Sequence, residues 1–491
     1  EMYFENHRGT YTSWARVKEY NRKNEILAEK AEKAGTLGNW LGVLPNAGNE
    51  EISKAWDKIL INQFHDVLPG SSIPYQYEVT YNNQELAKNL LNNVQNDGLQ
   101  AIAYKADTNV DGTPVLVFNP LSWERSDMVE TTVSFADAVP EQIAVYDGDS
   151  LVPSTVTSRD EEKKTATIRF QANNLPSVGF KVFNVKSGDG TVETNLSVEE
   201  NENLFVMENA FLKVEIDKNT GNIAQVYNKK DGNRPVFADG YQGNEIHIYK
   251  DTGGSSYPAW DLVMEEMNAD PIAILDDTPE EIEIIENSPE KIVVRVSRSW
   301  SDSTMYQDIT MYPDSDRVDV KMHVNWNEDQ RLMKISFPFA AESDHATYEI
   351  AYGALERPTT RDNSIDNAKF EVSGHKWADV TDDSGEFGAS ILNDSKYGWD
   401  AIQLKDEDGN VEATRLRLTA LRSPMGAAVR CSGWDPAAYY IDKTTHDFTY
   451  SIYPHSGTWQ EANSVQKAAE LNYKAEAVQS ERHDGDLGSA Y

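Results

Sequence analysis

The chain has 491 residues, 39% of them hydrophobic, with 81 acidic against 45 basic side chains and a formal net charge of −36. That length accommodates roughly two to four domains, and that composition supports packed cores and excludes wholesale disorder. The acidic surface repels phosphate backbones and excludes nucleic acid as a partner, and no apolar run of about 18 residues exists to cross a membrane.

The predicted elements begin with helices. Thr12 or Ser13 can cap a first helix over 12–34, with Gly35 as its stop. A second helix is predicted over 50–66, ended by Pro69-Gly70, and a third over 79–103 with Val79, Leu86, Leu90 and Val94 on one side. Three helices with short connections predict an antiparallel bundle.

From Pro114 the period changes. Val115, Leu116, Val117 and Phe118 form an apolar run stopped by Asn119-Pro120, and strands recur as far as Val185. The polar stretch 186–195 (KSGDGTVETN) reads as a linker. Beyond it, Leu212, Val214 and Ile216 alternate with polar residues, as do Val318, Val320, Met322, Val324 and Trp326, the period of half-buried antiparallel strands. The fold class predicted is α+β and multidomain: a helical bundle over 1–107, a small β-sandwich over 108–188, and a large β-sandwich domain over 196–491, truncated at its C-terminus. Glu1 opens without the basic flank and apolar stretch of a secretory signal, and Tyr491 follows the polar run 480–489, so both ends read as cuts through a longer protein. The single cysteine, Cys431, allows no internal disulfide and, with no signal, points to a reducing cytoplasm.

The second helix is the most informative stretch. Ile52, Ala55, Trp56 and Ile59 face a core while Glu51, Lys54, Asp57 and Lys58 face water. Ile61 and His65 then continue the water-facing side, so something else covers it. Asn62, Gln63, His65 and Asp66 crowd one turn, and a carboxylate there is repelled by the helix dipole by ~0.3–1 kcal/mol unless a cation or hydroxyl lies nearby. His65 offers an imidazole, a common zinc ligand. The plain alternative is a hydrogen-bonded His-Asp pair at a buried helix end, since zinc needs further ligands and no second cluster lies close in sequence.

The run from Asn62 to Ile73, NQFHDVLPGSSI, resembles the NQFHD-x-x-PGSSI signature of glycoside hydrolase family 38 α-mannosidases. His7 to Ser13, HRGTYTS, is similar to that family's segment at the exit from its catalytic barrel. The resemblance continues through Val117 to Trp123, Tyr257 to Asp261, Glu356 to Thr359, His375 to Asp379, Leu392 to Gly398, Leu421 to Pro424 and Tyr453 to Gly457. It implies a galactose-mutarotase-like large sandwich, a missing N-terminal catalytic barrel, and a zinc ion to which His65 contributes one ligand. Asp66 is implied to contact mannose hydroxyls or support the metal. The chemistry implied is retaining hydrolysis of α-mannosides and oligosaccharides by two carboxylates of the barrel, so no residue of this chain is assigned as nucleophile or acid/base.

Tyr11, His7 and Arg8 are candidate sugar contacts, with a purely structural role at the barrel-to-bundle junction as the alternative. Trp260, Asp261, Arg357, Arg361, His375, Arg422 and His455 read mainly as packing and loop hydrogen bonding. Asn195-Leu196-Ser197 fits a glycosylation sequon, expected to be unused. Two rival functions stay open: a non-catalytic carbohydrate-binding sandwich module, and a family 38 relative acting on mannosylglycerate or another small mannoside. A homo-oligomer is compatible with all of these.

Overall fold

The computed structural model describes residues 7–190, 192–254, 257–426 and 439–491; Cys431 lies outside them. Three helices open the chain, α1 (Ala15–Trp40), α2 (Asn49–Asn62) and α3 (Pro74–Lys105). They pack around Ala28, Ala31, Ile52, Ala55, Ile59, Ala87, Leu91 and Val94.

Each helix departs from its predicted bounds for a physical reason. α1 runs past Gly35 to Trp40. Gly35 serves close approach instead: a Cβ there would lie 2.4 Å from the Ala47 carbonyl oxygen, and one on Gly98 only 2.3 Å from the Ala34 carbonyl carbon. α2 stops at Asn62, whose Nδ2 folds back to donate to the Lys58 carbonyl at 2.6 Å, a bond that competes with helix continuation. Asp66 therefore lies beyond the helix, and the dipole penalty expected for it does not apply. α3 starts at Pro74, since proline at the first helical position sacrifices no hydrogen bond. Its buried side also differs: Val79 and Leu86 are exposed, while Thr80 and Gln84 are buried. Asn24 Nδ2 donates to the Gln84 carbonyl at 3.0 Å and to its Oε1 at 2.7 Å, so a polar contact takes the place where apolar packing was predicted.

A five-stranded and a three-stranded antiparallel sheet follow, enclosing Val115, Val117, Val129, Ile168, Phe170 and Phe183. The strand Thr113–Asn119 pairs on one edge with Gly179–Ser187 and on the other with Glu476–Gln479. The last residues of the chain, predicted to belong to the large sandwich, thus return to the small one. The backbone of Tyr491 exchanges hydrogen bonds with Phe180, and Leu487 donates to the Lys105 carbonyl at the end of α3. An unpaired buried strand edge is costly, and the C-terminal strand satisfies it.

Five-, six- and nine-stranded sheets make up the remainder around one continuous core containing Trp326, Phe337, Trp399 and Tyr450. Alternation appears where the sequence shows it: in Val318–Asn325, Val320, Met322 and Val324 are buried while Lys321 and Asn325 are exposed. A short helix, Ser464–Asn472, packs outside the nine-stranded sheet, where Leu471 and Ala468 meet Trp377 and Leu392.

Candidate functional site

The segments 7–14 and 62–73 lie far apart in sequence and meet in the fold. The HRGTYTS segment forms a single 3-10 turn, Arg8–Tyr11, entered through His7 at a left-handed φ of 74°. The His7 backbone N–H donates to Asp261 Oδ1 at 2.8 Å. Arg8 is buried, its Cζ 4.7 Å from the centre of the Phe370 ring. Tyr11 is half-buried and His7 exposed.

Arg422 holds this turn from beneath. Its guanidinium is fully buried and donates to both Asp251 carboxylate oxygens at 2.8 and 2.6 Å, to Ser13 Oγ at 3.1 Å, and to the Pro258 and Asp261 carbonyls at 2.9 Å each. Ser13 Oγ in turn donates to the Ala259 carbonyl at 2.6 Å. Gly9 is required by this contact, because a Cβ there would sit 1.8 Å from Arg422 Nη1. Burial pushes the Asp251 carboxyl up, and Arg422 opposes that shift.

Lys18 ties the two motifs together. It is buried in α1 and donates to the Ser13 carbonyl at 2.5 Å and the Leu68 carbonyl at 2.8 Å. Burial pulls its pKa down to about 7, with the Asp442 carboxylate acting the other way. Asp442 accepts from the Ala15 backbone N–H at 3.1 Å with each oxygen and so caps α1. Gly70, at a φ of +89°, lets the turn press against Ser13, whose carbonyl oxygen would be 2.4 Å from a Cβ. Trp14 stacks on Tyr77 at 3.8 Å between ring centres, and the Tyr77 hydroxyl donates to the Asp66 carbonyl at 3.3 Å.

His65 stands on this scaffold with its side chain 76% exposed, its ring 4.2 Å from that of Phe64 and its Nε2 3.5 Å from Asp66 Oδ2. Leu60, Ile61, Phe64, Ile73 and Tyr75 are exposed on the same segments. The buried helix-end alternative does not describe this arrangement. His65 and Asp66 supply one imidazole and one carboxylate, fewer donors than the four a zinc ion takes. Among the described residues no group of three or more His, Cys, Asp or Glu side chains is placed to hold a metal ion. The residues present therefore do not complete a zinc site.

The residues weighed in the β region take structural positions. His455 is buried with Nε2 2.8 Å from Asp379 Oδ2, Arg357 donates to the Ser373 carbonyl at 2.8 Å, and Arg361 donates to the Ala401 carbonyl at 3.0 Å. Burial lowers the pKa of His375 to about 4, and its ring packs edge-on to Tyr397. Asp251, Lys18 and Asp442 were not singled out from sequence. Lys18 sits beside Asn21 and Arg22, a grouping that reads as a water-facing helix side, and nothing local marks it as buried.

The pattern described as Alpha mannosidase middle domain matches residues 5–102, and that described as Glycosyl hydrolases family 38 C-terminal domain matches residues 207–430. Alpha-mannosidase G of Dictyostelium discoideum is 32% identical over 511 residues, covering 96% of this chain and 42% of that protein. Alpha-mannosidase 2C1 of Homo sapiens is 27% identical over 477 residues, covering 96% and 40%. The chain thus spans less than half the length of these relatives. A crystal structure of a protein in the glycosyl hydrolase family 38 from Enterococcus faecalis superposes with a TM-score of 0.80 at 17% identity, covering 99% of this chain and 61% of that one.

Proposed function

The chain belongs to glycosyl hydrolase family 38, and on that premise we propose that it is the middle and C-terminal part of an α-mannosidase that removes terminal α-mannose from oligosaccharides. The observation that carries this reading is the exposed end of α2. His65 and Asp66 stand beside exposed Leu60, Ile61 and Phe64, while the backbone beneath them is fixed by a buried ammonium. An apolar rim around a polar pair is the form of a surface that another domain covers. The matched relatives are more than twice as long as this chain, which supports a catalytic domain outside these 491 residues.

In this reading His65 supplies one ligand to a zinc ion whose other ligands belong to that domain. Asp66 accepts hydrogen bonds from mannose hydroxyls, and Tyr11 and His7 line the same mouth. Arg8, buried over Phe370, holds the turn that presents them. Cytoplasmic residence is part of the same proposal and rests on the single cysteine.

The test uses the longer protein and the 491-residue chain side by side. The longer protein hydrolyses an aryl α-mannoside, and His65→Ala lowers kcat/KM at least about a hundredfold and removes most bound zinc measured by elemental analysis, an effect of the size seen when a metal site is disrupted. The 491-residue chain alone shows no turnover. Full zinc occupancy and activity in His65→Ala would refute the ligand role, and turnover by the shorter chain would refute the division of labour.

A further inference from the structure

The longest stretch of the chain without a charged side chain is 34–49, AGTLGNWLGVLPNAGN, sixteen residues in a protein that is 26% charged. It covers the last turns of α1 and the loop that leads to α2. α1 begins beside Ser13, where Lys18 holds the 62–73 turn. At a rise of about 1.5 Å per residue its 26 residues carry Trp40 roughly 39 Å away from there. The uncharged stretch therefore forms the pole of the bundle opposite His65.

The loop at this pole is fixed in place. The Val43 and Leu44 backbone N–H groups donate to the Gly38 carbonyl at 3.2 and 3.1 Å, Asn39 Nδ2 donates to the Leu44 carbonyl at 3.0 Å, and the Gly48 N–H donates to Asn46 Oδ1 at 2.8 Å. Gly48, at a φ of +77°, presses on Val94 of α3, whose methyl carbons would lie 2.7 Å from a Cβ. Trp40 projects from this frame 72% exposed, with exposed Pro45 and half-buried Leu41, Val43 and Leu44 on the same stretch. Leu44 packs on Gly38 and also lines a groove of about 360 Å³, which runs between Leu44, Pro45 and Ala47 of the loop and Asn93 and Val94 of α3. Glu51 and Asp97 complete its wall. One neutral patch thus carries an aromatic knob and, beside it, a socket.

We propose that this pole is an interface between two copies of the chain, in which Trp40 of each copy enters the groove of the other. The inference goes beyond the mannosidase reading and shares no residue with the segments around His65 and Tyr11. A two-fold contact is made by one patch meeting itself, so knob and socket must lie together, as they do here. The chemistry of the two also matches. An indole is uncharged and carries a single N–H donor, and the groove offers apolar walls with the Glu51 and Asp97 carboxylates as acceptors. Charge selects the place of contact: two copies at −36 repel each other, and meeting at the uncharged pole brings the fewest like charges together. Because the loop is already fixed, little ordering entropy opposes the contact.

Sedimentation equilibrium tests this on the 491-residue chain carrying Ile61→Ser and Phe64→Ser, so that the apolar rim around His65 adds no association of its own. The expected result is a monomer–dimer equilibrium that is tighter in about 0.5 M than in about 0.05 M sodium chloride, because salt screens the repulsion. Trp40→Ser weakens the dimer at least about tenfold, as loss of a central aromatic anchor does. Asn93→Arg, which obstructs the groove and leaves Trp40 intact, weakens it comparably. Both positions are exposed, so each variant keeps the parent's melting temperature. The longer protein dimerises too and loses its dimer with Trp40→Ser. A monomer at every concentration up to about 100 µM, a dimer that weakens with salt, or a dimer unchanged by Trp40→Ser or by Asn93→Arg each overturns the proposal. So does a longer protein that stays monomeric, which would assign the pole to its additional domain.

Discussion

Arg422→Met should loosen the join between the helical and β regions without unfolding either. The guanidinium is wholly buried and spans Asp251, Ser13 and the carbonyls of the loop 258–261. Removing it leaves Asp251 buried without a counter-charge, and breaking one side of a buried pair costs about 3–5 kcal/mol. Burial pushes the Asp251 carboxyl up, and in the variant Arg422 no longer opposes this. The folded variant then binds a proton at Asp251 that its unfolded chain releases at lower pH, so its stability falls as pH rises through the folded value. The cost lands on the join, so amide hydrogen exchange read by mass spectrometry is the suitable assay. Peptides covering 7–14 and 257–263 should exchange roughly a hundredfold faster, since about 3 kcal/mol is a little over two decades in an opening equilibrium. Exchange within about threefold of the parent in both peptides would refute the reasoning. The double variant Asp251→Asn with Arg422→Met removes the stranded carboxylate and should recover part of the loss.

Lys18→Met tests the second tie. The folded value of Lys18, about 7, lies below its ordinary 10.5, so between those pH values the unfolded chain binds more protons and the parent's stability rises with pH. The variant lacks that slope, and between pH 6 and pH 9 the parent should gain roughly 2 kcal/mol on it in urea unfolding; parallel curves would reject the lowering of the Lys18 pKa by burial. Gly9→Ala drives a methyl into a guanidinium that Asp251 keeps from moving, and should lower stability by about 1–3 kcal/mol in thermal unfolding. Lys334 lies fully buried between Glu371 and Asp400, so Lys334→Met sets two carboxylates against each other at a cost of about 3–5 kcal/mol. That deficit should shrink as pH falls, because burial pushes the Glu371 carboxyl up and a proton can replace the lost cation. Ile61→Ser with Phe64→Ser should leave stability within about 0.5 kcal/mol, since both residues are exposed, and should reduce any self-association seen by sedimentation.

What was legible in the sequence follows from how local each signal is. The bundle and the antiparallel sheets announce themselves through period, since one buried face repeats along each element: Ile52, Ala55 and Ile59 are buried as the pattern in α2 requires. The register of α3 was not legible, because Thr80 and Gln84 are buried through a hydrogen bond from Asn24 that no hydrophobic pattern encodes. The return of Glu476–Gln479 to the small sandwich was equally hidden, as a four-residue strand carries too little pattern to name a partner hundreds of residues away. At the candidate site, His65 and Asp66 stood out by breaking the helix pattern. Lys18 did not, because its acceptors Ser13 and Leu68 come together only in the folded bundle, and Asp251 did not, because Arg422 and the turn it holds reach it only when the bundle and the large sandwich have met.

The buried cations explain why a strongly acidic chain can present an exposed site in a fixed pose. A lysine or arginine taken out of water is unfavourable unless its donors are filled in good geometry. Lys18 is filled by the nearby Ser13 carbonyl and by Leu68 of the next motif, and Arg422 by Ser13, Asp251 and the 258–261 loop, all distant from it in sequence. Hydrophobic burial alone is non-directional and would let the bundle slide on the sandwich. The directional tie of Arg422 to Ser13 removes that freedom, and the tie of Lys18 to the same residue sets the 62–73 turn, and with it His65, before anything covers it. Docking onto a preset surface avoids the entropy of ordering it at the moment of contact. It follows that Lys18→Met should weaken association with a covering domain more than it lowers the stability of the chain itself. Equal effects on the two would mean that the tie serves only the fold.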